Sequence, residues 1–431
     1  MRVFERWGCR RAGLDPLALL DRAGREPFAL LYGSGERGRY MIHAHEPLGR
    51  LSRPAPGDFE FSREGEPPPF FPDFIGIVSY EWGAALAPLV PPALDSPLPL
   101  PAFSFVLYRR VSIHDRSTGL LYEGLRSIEG GAGEGFAPEE GGKSVLGEGG
   151  FATRFLQGTE NAASYAAKVA QVRDAIAAGD VYQANLTRQE EWEYRGDLRS
   201  FAKALYRENP APFSAFIAEP AFAIASASPE RLVNLAEGRL ESRPIKGTAP
   251  RGADEAEDRR LALALLASEK DRAELAMIVD LVRNDLARTC LRASTRVLAF
   301  PVLETYANVH HLVATVEGRF DRSKGLGGLL TALLPGGSIT GCPKIAAMRI
   351  IRSLEPWPRA IYTGSIGWFS FDLSALDLNI AIRTVWADAT RLRFGVGGAV
   401  VWDSDPAAEY IETVHKARSI LSCLNSATGR W

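Results

Sequence analysis

Apolar and polar positions follow two different periods along the chain, which predicts both strands and helices. Short apolar runs indicate strands in the first third of the sequence, at residues 28–32, 74–78 and 103–107. Between residues 165 and 176, four apolar side chains recur at helical spacing, and Gly179 follows as a residue that can end a helix. The pattern therefore predicts a protein of mixed secondary structure.

The second half of the sequence predicts a longer series of elements. Strands are expected at residues 181–186, 221–227, 231–235 and 239–245. A long helix is expected over residues 269–286, because its apolar side chains share one face. The last helix is expected to begin after Asp405 as N-cap, with Pro406 as first residue, and to run to about Leu424.

A glycine-rich segment divides the sequence. Nine of the 21 residues from 130 to 150 are glycine, and glutamate is the commonest charged residue there. Such a segment cannot bury enough apolar surface to offset the entropy lost on ordering. We therefore expect a β-rich N-terminal region at 1–129, a flexible linker at 130–150 and a larger region at 151–425.

Composition and charge narrow the class of protein. Apolar residues make up 46% and charged residues 24%, as in soluble globular proteins. Fifty Lys and Arg residues oppose 52 Asp and Glu residues, a balance that speaks against affinity based on phosphate neutralisation. No apolar run is long enough to span a bilayer, and none follows the N-terminal arginines as a signal peptide would require. We expect a soluble, cytoplasmic protein that binds neither nucleic acid nor membrane.

Two predicted helices carry carboxylates on a single face. Glu409 and Glu412 are three residues apart in the last helix, with Lys416 four residues further on, and Asp271 and Glu274 repeat the spacing in the long helix. A solvent-exposed stripe of charges would have the same pattern. Two such helices could instead converge on a hard cation such as Mg²⁺, which prefers oxygen ligands. Spacing alone leaves both interpretations open.

The glycine-rich segment at residues 336–344 resembles a phosphate-binding loop only superficially. The G-x-x-x-x-G-K-[ST] motif is not satisfied, because Pro343 precedes Lys344 and Ile345 follows it. A glycine-rich turn before a helix can still bind a carboxylate through its backbone N–H groups. The segment therefore favours an anion site over a nucleotide site.

Lys246 stands where a predicted strand passes into a Gly-Thr turn. A lysine in that setting is usually exposed and has no chemical role. If burial and neighbouring cations lower its pKa, however, the neutral amine can act as a nucleophile. The residues alone do not choose between these two interpretations.

Seven motifs occur in one order over about residues 155–425. They are Ser228–Glu230, Pro244–Thr248, Asp271–Leu286, His310–Val313, Gly336–Gly341, Ile382–Thr384 and Glu409–Thr413. Together they resemble the chorismate-utilising enzymes, which include the anthranilate, aminodeoxychorismate, isochorismate and salicylate synthases. The resemblance implies an α+β fold, an α/β sandwich like that of anthranilate synthase component I, with largely antiparallel sheets packed face to face and helices outside. It also implies that residues 151–425 form a chorismate-binding catalytic domain.

The resemblance further implies roles for individual residues. For the metal, it implies that Glu274 and Glu412 bind Mg²⁺, with Asp271 and Glu409 beside them. For catalysis, it implies Lys246 as nucleophile, Glu230 as the acid that protonates the departing C4 hydroxyl, and His311 close to the substrate ring. For substrate binding, it implies Gln183, Thr340, Gly341, Tyr362, Arg383, Gly397 and Lys416.

Two positions distinguish the members of this family. Gln183 stands where the water-adding isochorismate and salicylate synthases carry a lysine base, and glutamine cannot take a proton from water. Lys246 stands where anthranilate synthases have a small residue and well-known aminodeoxychorismate synthases have lysine. The resemblance therefore favours amination of chorismate at C4, giving 4-amino-4-deoxychorismate for 4-aminobenzoate and folate synthesis. Formation of anthranilate for tryptophan synthesis is the alternative. Ala399 departs from the glycine of relatives.

The expected chemistry requires a source of ammonia. The chain contains no recognisable glutaminase nucleophile, and most free ammonia is protonated at neutral pH. We therefore expect chorismate and ammonia as substrates, Mg²⁺ as cofactor, and a separate glutamine amidotransferase subunit in a heterodimer.

Overall fold

A computed structural model describes residues 1–22, 27–33, 36–54, 59–87, 90–91, 98, 100–130, 136–138, 145–306 and 309–426 of the protein. Its N-terminal part is mainly strands. The elements described there are β1 (Arg2–Arg11), α1 (Pro16–Arg22), β2 (Phe28–Tyr32), β3 (Tyr40–Leu51), β4 (Glu60–Gly65), β5 (Phe74–Val78), α2 (Tyr80–Ala85), β6 (Phe103–Asp115), β7 (Leu120–Glu129) and β8 (Phe136–Pro138).

The rest of the described chain contains more helix. Its strands are β9 (Ala152–Gly158), β10 (Gln183–Arg195), β11 (Phe213–Ala218), β12 (Ala223–Ser228), β13 (Arg231–Ala236), β14 (Arg239–Ser242), β15 (Ile245–Pro250), β16 (Arg296–Thr305), β17 (Val309–Arg319), β18 (Gly341–Cys342), β19 (Ser365–Phe369), β20 (Leu376–Asn379), β21 (Thr384–Ala387) and β22 (Arg391–Val400). Its helices are α3 (Ala162–Ala177), α4 (Leu198–Glu208), α5 (Glu255–Ala267), α6 (Glu269–Ala287), α7 (Gly325–Leu333), α8 (Lys344–Leu354) and α9 (Pro406–Ser426).

Elements with local sequence signals form as predicted. Helix α9 begins at Pro406, and the Asp405 side chain accepts a hydrogen bond from the backbone N–H of Ala408 at 2.8 Å. The single strand predicted at residues 239–245 is wrong: the structure has β14 and β15 there, separated by Arg243 and Pro244. Proline cannot donate a ladder hydrogen bond, which accounts for a break at this position.

Hydrogen-bonded ladders join the described strands, and nearly all of them are antiparallel. The pairing of β1 with β4 is the parallel exception among them. Strand β2 pairs with β11, and β5 pairs with β19, so strands from residues 1–129 share ladders with strands from the second half. The α+β class and the largely antiparallel sheet are confirmed.

Sheet faces and helices enclose separate apolar cores. One core consists mainly of strand side chains, such as Ile42, Tyr108, Ile224 and Trp386, as expected where sheet faces pack on each other. In another core, α6 and α7 cover strands β13 and β17. Helices α3 and α8 pack against β10, the strand that enters the predicted site.

The segment expected to be a linker is only partly described, since residues 131–135 and 139–144 lie outside the described residues. Strand β8, within this segment, pairs with Gly49–Leu51 of β3. The division into regions 1–129, 130–150 and 151–425 stays a prediction. Among the described helices, none has the length and apolar character needed to cross a membrane.

Candidate active site

Strand β10 brings three predicted substrate residues to one end of the sheet. It pairs antiparallel with both β18 and β22, which places Gln183 opposite Cys342 and Thr187 opposite Gly397. Gly341 takes a φ of +142°, and a Cβ atom there would lie 2.1 Å from the Gln183 carbonyl oxygen, so only glycine fits. The ladder continues without a bulge through Ala399, so its methyl group does not interrupt the strand.

The Gln183 side chain is fully buried at this end of β10. Neither its amide nitrogen nor its amide oxygen has a hydrogen-bond partner among the described residues. A buried amide is rarely left unpaired in a folded protein, because its desolvation is then uncompensated. An unpaired amide beside Gly341 therefore marks a place where a polar ligand can bind.

Lys246 is the second residue of β15, a strand that packs against the long helix α6. Its Nζ atom donates a hydrogen bond to the carbonyl oxygen of Ser338 at 3.2 Å. The next residue, Gly247, has a φ of +78°, and a Cβ atom there would lie 2.9 Å from Cβ of Asp271. Burial lowers the pKa of Lys246, and the charge of Lys416 adds to the effect, although Glu274 opposes it. These surroundings shift the amine towards its neutral form.

Glu230 follows β12 and is almost completely buried, with 5% of its surface exposed. Its Oε1 atom has no hydrogen-bond partner among the described residues. Burial raises the pKa of Glu230, whereas a hydrogen bond from Ser338 and the charge of Lys246 act in the opposite direction without overcoming it. A carboxyl group in this state can hold a proton and donate it.

His311 lies on β17 directly opposite Thr248. Its Nδ1 atom is 2.9 Å from the Thr248 hydroxyl. Burial lowers the pKa of His311 to about 4, and the charge of Arg383 adds to the effect. The imidazole is therefore neutral at neutral pH, and it can act as a hydrogen-bond partner but not as a cation.

Arg383 precedes β21 with a φ of +51°, a conformation that side-chain-bearing residues seldom adopt. Its Nη1 atom donates to the Asn209 side-chain oxygen at 3.1 Å. Burial lowers the pKa of Arg383, and within the described residues no carboxylate pairs with it. A guanidinium without a counter-ion can bind a carboxylate ligand through two parallel hydrogen bonds.

The predicted metal carboxylates lie on α6, which packs against β15 and β17, and on α9, which packs against β22. Lys416 binds Glu412 at 2.6 Å and the carbonyl oxygen of Gly397 at 3.1 Å. Glu409 accepts a hydrogen bond from Ser404 at 2.6 Å through Oε1, whereas its buried Oε2 has no partner among the described residues. A Cβ atom on Gly398 would lie 3.1 Å from that Oε2, so the strand backbone touches the carboxylate.

The charges of these carboxylates affect one another. Burial raises the pKa of Glu274, and Asp271 and Glu412 add to the effect. Burial also acts to raise the pKa of Glu412, but the nearby amino groups of Lys416, Lys270 and Lys246 together leave that pKa below its ordinary value. Like charges close together in a partly buried site are relieved by a cation.

A complete protein-built cation site is absent from the described part of the chain, where no three acidic, His or Cys side chains cluster closely enough. The chemistry of the predicted donors nevertheless fits Mg²⁺, because Asp271, Glu274, Glu409 and Glu412 all offer carboxylate oxygens and Oε2 of Glu409 is unpaired among the described residues. Mg²⁺ is commonly held by one or two carboxylates, with water and substrate oxygens as the other ligands.

Thr340 and Tyr362 complete the predicted set. The Thr340 hydroxyl donates to the carbonyl oxygen of Gly336 at 2.8 Å, so its donor is already used within the loop. Burial raises the pKa of Tyr362 to about 12, which keeps the phenol protonated. Its ring lies against Gly395 of β22, where a Cβ atom would come within 2.6 Å.

Sequence reasoning assigned no role to several residues that support this site. Ser338 accepts the Lys246 hydrogen bond, and Asn209 holds Arg383. Ser338 lies within the Gly336–Gly341 motif, which was a signal that could have found it. The buried pair of Glu355 and Arg359 had no such signal, because its partners are distant in the sequence.

Comparison with known proteins identifies the family of this chain. The profile of the family described as chorismate binding enzyme matches residues 25–422. An aminodeoxychorismate synthase component 1 from Bacillus subtilis is 36% identical over 363 residues, 80% of this chain and 76% of that protein. An aminodeoxychorismate synthase from Streptomyces griseus is 50% identical over 257 residues, 58% of this chain and 35% of that protein. The chain belongs to the chorismate binding enzyme family.

A solved structure supports the same fold. Anthranilate synthase component I from Streptococcus pneumoniae superposes with a TM-score of 0.74 at 26% identity, over 90% of this chain and 93% of that one. Several of the sequence matches, including the Streptomyces griseus one, span only 35% to 58% of the relative's own length.

Proposed function

We propose that the protein is component I of an aminodeoxychorismate synthase, which converts chorismate and ammonia to 4-amino-4-deoxychorismate. The observation that carries this proposal is Lys246, a partly buried amine of lowered pKa near Glu230, a buried carboxyl group of raised pKa. A neutral nucleophile next to a protonated acid is the pair that a substitution with loss of hydroxide requires.

Two positively charged groups bind the two carboxylates of the substrate. Arg383 binds one of them, supported by Asn209 and by the absence of a described acidic partner. Glu274 and Glu412, with Asp271 and Glu409 nearby, are the residues that would hold Mg²⁺ for the other carboxylate. When bound, the ion would supply Lewis-acid charge that draws electron density from that carboxylate. The unpaired Gln183 amide and the backbone at Gly341 and Gly397 line the ring.

The first half of the reaction joins the enzyme to the ring. The Nζ atom of Lys246 attacks C2, both conjugated double bonds of the ring shift by one position, and the C4–O bond breaks so that the hydroxyl leaves as water with the proton that Glu230 donates. The protonated amine adduct then loses a proton, so that charge and atoms balance. Neutral His311 lies near the ring, where an imidazolium would add an unwanted cation beside Arg383.

In the second half, ammonia attacks C4 and both ring double bonds shift back to their original positions. The C2–N bond breaks, Lys246 leaves as a free amine after protonation, and the nitrogen of ammonia remains on C4. Because each displacement is accompanied by a shift of the ring double bonds, two successive displacements place the new nitrogen on the carbon that lost the hydroxyl. A direct attack of ammonia on C2 would instead give the anthranilate series.

Ammonia is supplied by a glutamine amidotransferase subunit that forms a heterodimer with this chain. The names of several relatives as component 1 support a second subunit. The cytoplasmic location expected from the sequence also stays a prediction.

Anthranilate synthase component I is the second candidate, and the fold similarity to the Streptococcus pneumoniae enzyme supports it. One assay separates the two. Purified protein with chorismate, Mg²⁺ and an ammonium salt should yield a product that aminodeoxychorismate lyase converts to 4-aminobenzoate. Fluorescent anthranilate as the main product would support the second candidate.

A further inference from the structure

We propose that Arg359 and Glu355 are positioning residues that fix the distance between two walls of the active site. One wall is the start of β10, which carries Gln183 and Thr187. The other is the loop at residues 336–341, which carries Ser338 and Thr340. This inference rests on the proposed function for its kinetic test, but its geometry is independent of that function.

Arg359 contacts both walls with one side chain. It is 1% exposed, and its Nη2 atom donates to the carbonyl oxygen of Asn185 on β10 at 2.6 Å. Its Nη1 atom donates to the carbonyl oxygen of Ile339 in the loop at 2.9 Å. Only the planar fork of a guanidinium can reach two carbonyl groups in fixed directions at once, and a lysine ammonium cannot replace it.

Glu355 orients that fork and adds a contact of its own. Its carboxylate accepts from Arg359 Nε at 2.8 Å and from Nη2 at 2.6 Å. The same carboxylate accepts the backbone N–H of Thr187 at 2.9 Å, two residues beyond Asn185 on β10. The pair is therefore bonded to β10 at two points and to the loop at one.

A backbone hydrogen bond also joins the two walls directly. The backbone N–H of Asn185 donates to the carbonyl oxygen of Thr340 at 2.8 Å, next to Ile339. Ser338, on the other side of Ile339, accepts the hydrogen bond of Lys246. A shift of the Ile339 carbonyl therefore moves the acceptor that holds Lys246 relative to Gln183. Small displacements of this kind reduce turnover more than binding, because they misalign the reacting atoms.

The chain offers a matched control on the same strands. Arg393 is also 1% exposed, pairs with Glu191 at 2.6 Å and stacks on Trp357 at 4.2 Å from the ring centre. Glu191 and Arg393 face each other on β10 and β22, eight residues from Gln183 and six residues from Ala399 respectively. Arg393 makes no described hydrogen bond to the carbonyl groups of either wall.

The test compares Arg359→Lys with Arg393→Lys in the full-length protein. Both variants should show similar losses of melting temperature, because each weakens a buried ion pair. Arg359→Lys should lose about tenfold or more in kcat for chorismate with ammonium, while KM rises about threefold. Arg393→Lys should keep both constants within about twofold. Equal losses of kcat in the two variants would overturn the inference.

The outcome also separates this inference from the proposed function. If wild type consumes chorismate but forms anthranilate, the proposed product is wrong and the comparison of kcat values still decides the positioning role. If wild type consumes no chorismate, the proposed function fails, and equilibrium binding of chorismate decides instead. Arg359→Lys should then raise the dissociation constant of chorismate about threefold relative to Arg393→Lys, and equal dissociation constants would overturn the inference.

Discussion

The amino group of Lys246 lies 3.2 Å from the carbonyl oxygen of Ser338, so a residue of β15 is held by the loop that precedes β18. A carbonyl oxygen accepts a hydrogen bond from a neutral amine as well as from an ammonium group. Within the described residues, no carboxylate forms an ion pair with Lys246 that would keep it charged. The contact therefore positions the amine without fixing its protonation.

Removal of the Lys246 amine should abolish amination at C4. Lys246→Met keeps most of the side-chain volume but has no nucleophile, so formation of 4-amino-4-deoxychorismate should fall by about a thousandfold or more. Coupled assay with aminodeoxychorismate lyase measures this rate. Lys324→Met, at an exposed lysine just before α7, is the control and should retain near-wild-type kcat. A Lys246→Met variant as active as the control would exclude the covalent step.

Glu230 should control the decline of activity at high pH. Burial raises the pKa of Glu230, and an acid must be protonated to act, so kcat/KM for chorismate should fall as pH rises through that pKa. The profile is measured at a constant concentration of unprotonated ammonia, since total ammonium would distort it.

The matched variant is Glu230→Gln, which cannot titrate. It should lose about 10²–10⁴ in kcat/KM and should lack the decline that Glu230 causes. An unchanged decline in Glu230→Gln would assign it to another group.

Mg²⁺ should be required for turnover. EDTA should abolish chorismate consumption, and added Mg²⁺ should restore it, because the carboxylates of α6 and α9 are proposed to hold this ion. Glu412→Gln should lower kcat/KM about a hundredfold or more, while Glu237→Gln at an exposed turn should have no effect. Full activity of wild type in chelator would contradict the proposed metal role.

The isolated chain should use ammonium salts but not glutamine. Activity with ammonium should increase with pH, while unprotonated ammonia increases and Glu230 stays protonated. Glutamine should support turnover only after a glutamine amidotransferase subunit is added. Glutamine-dependent activity of the pure single chain would show that no separate subunit is needed.

Local signals in the sequence predicted much of the secondary structure. The Asp405 cap and the apolar faces of α6 and α9 were sufficient to predict those helices, because capping and periodicity depend on neighbouring residues. The break at Pro244 was missed, although proline is a local signal. The helices could be predicted from these local signals. The family, and with it the largely antiparallel sheet, could be predicted from seven motifs in order.

The supporting contacts of the site could not be predicted in this way. Arg359 binds carbonyl groups of residues 20 and 174 positions away, and no local pattern connects them. The same holds for Asn209 and Arg383, which are 174 positions apart. Whether Lys246 is exposed or buried was likewise undetermined by its own turn, since burial comes from packing against α6 and the loop at Ser338.

The identity of the product tests the central claim most directly. Wild-type protein is incubated with chorismate, Mg²⁺ and an ammonium salt, and the products are separated by chromatography before and after addition of aminodeoxychorismate lyase. We predict that chorismate is consumed and that 4-aminobenzoate forms only once the lyase is present, because Lys246 occupies C2 and ammonia enters at C4. Anthranilate as the main product, formed without the lyase, would contradict the proposed function.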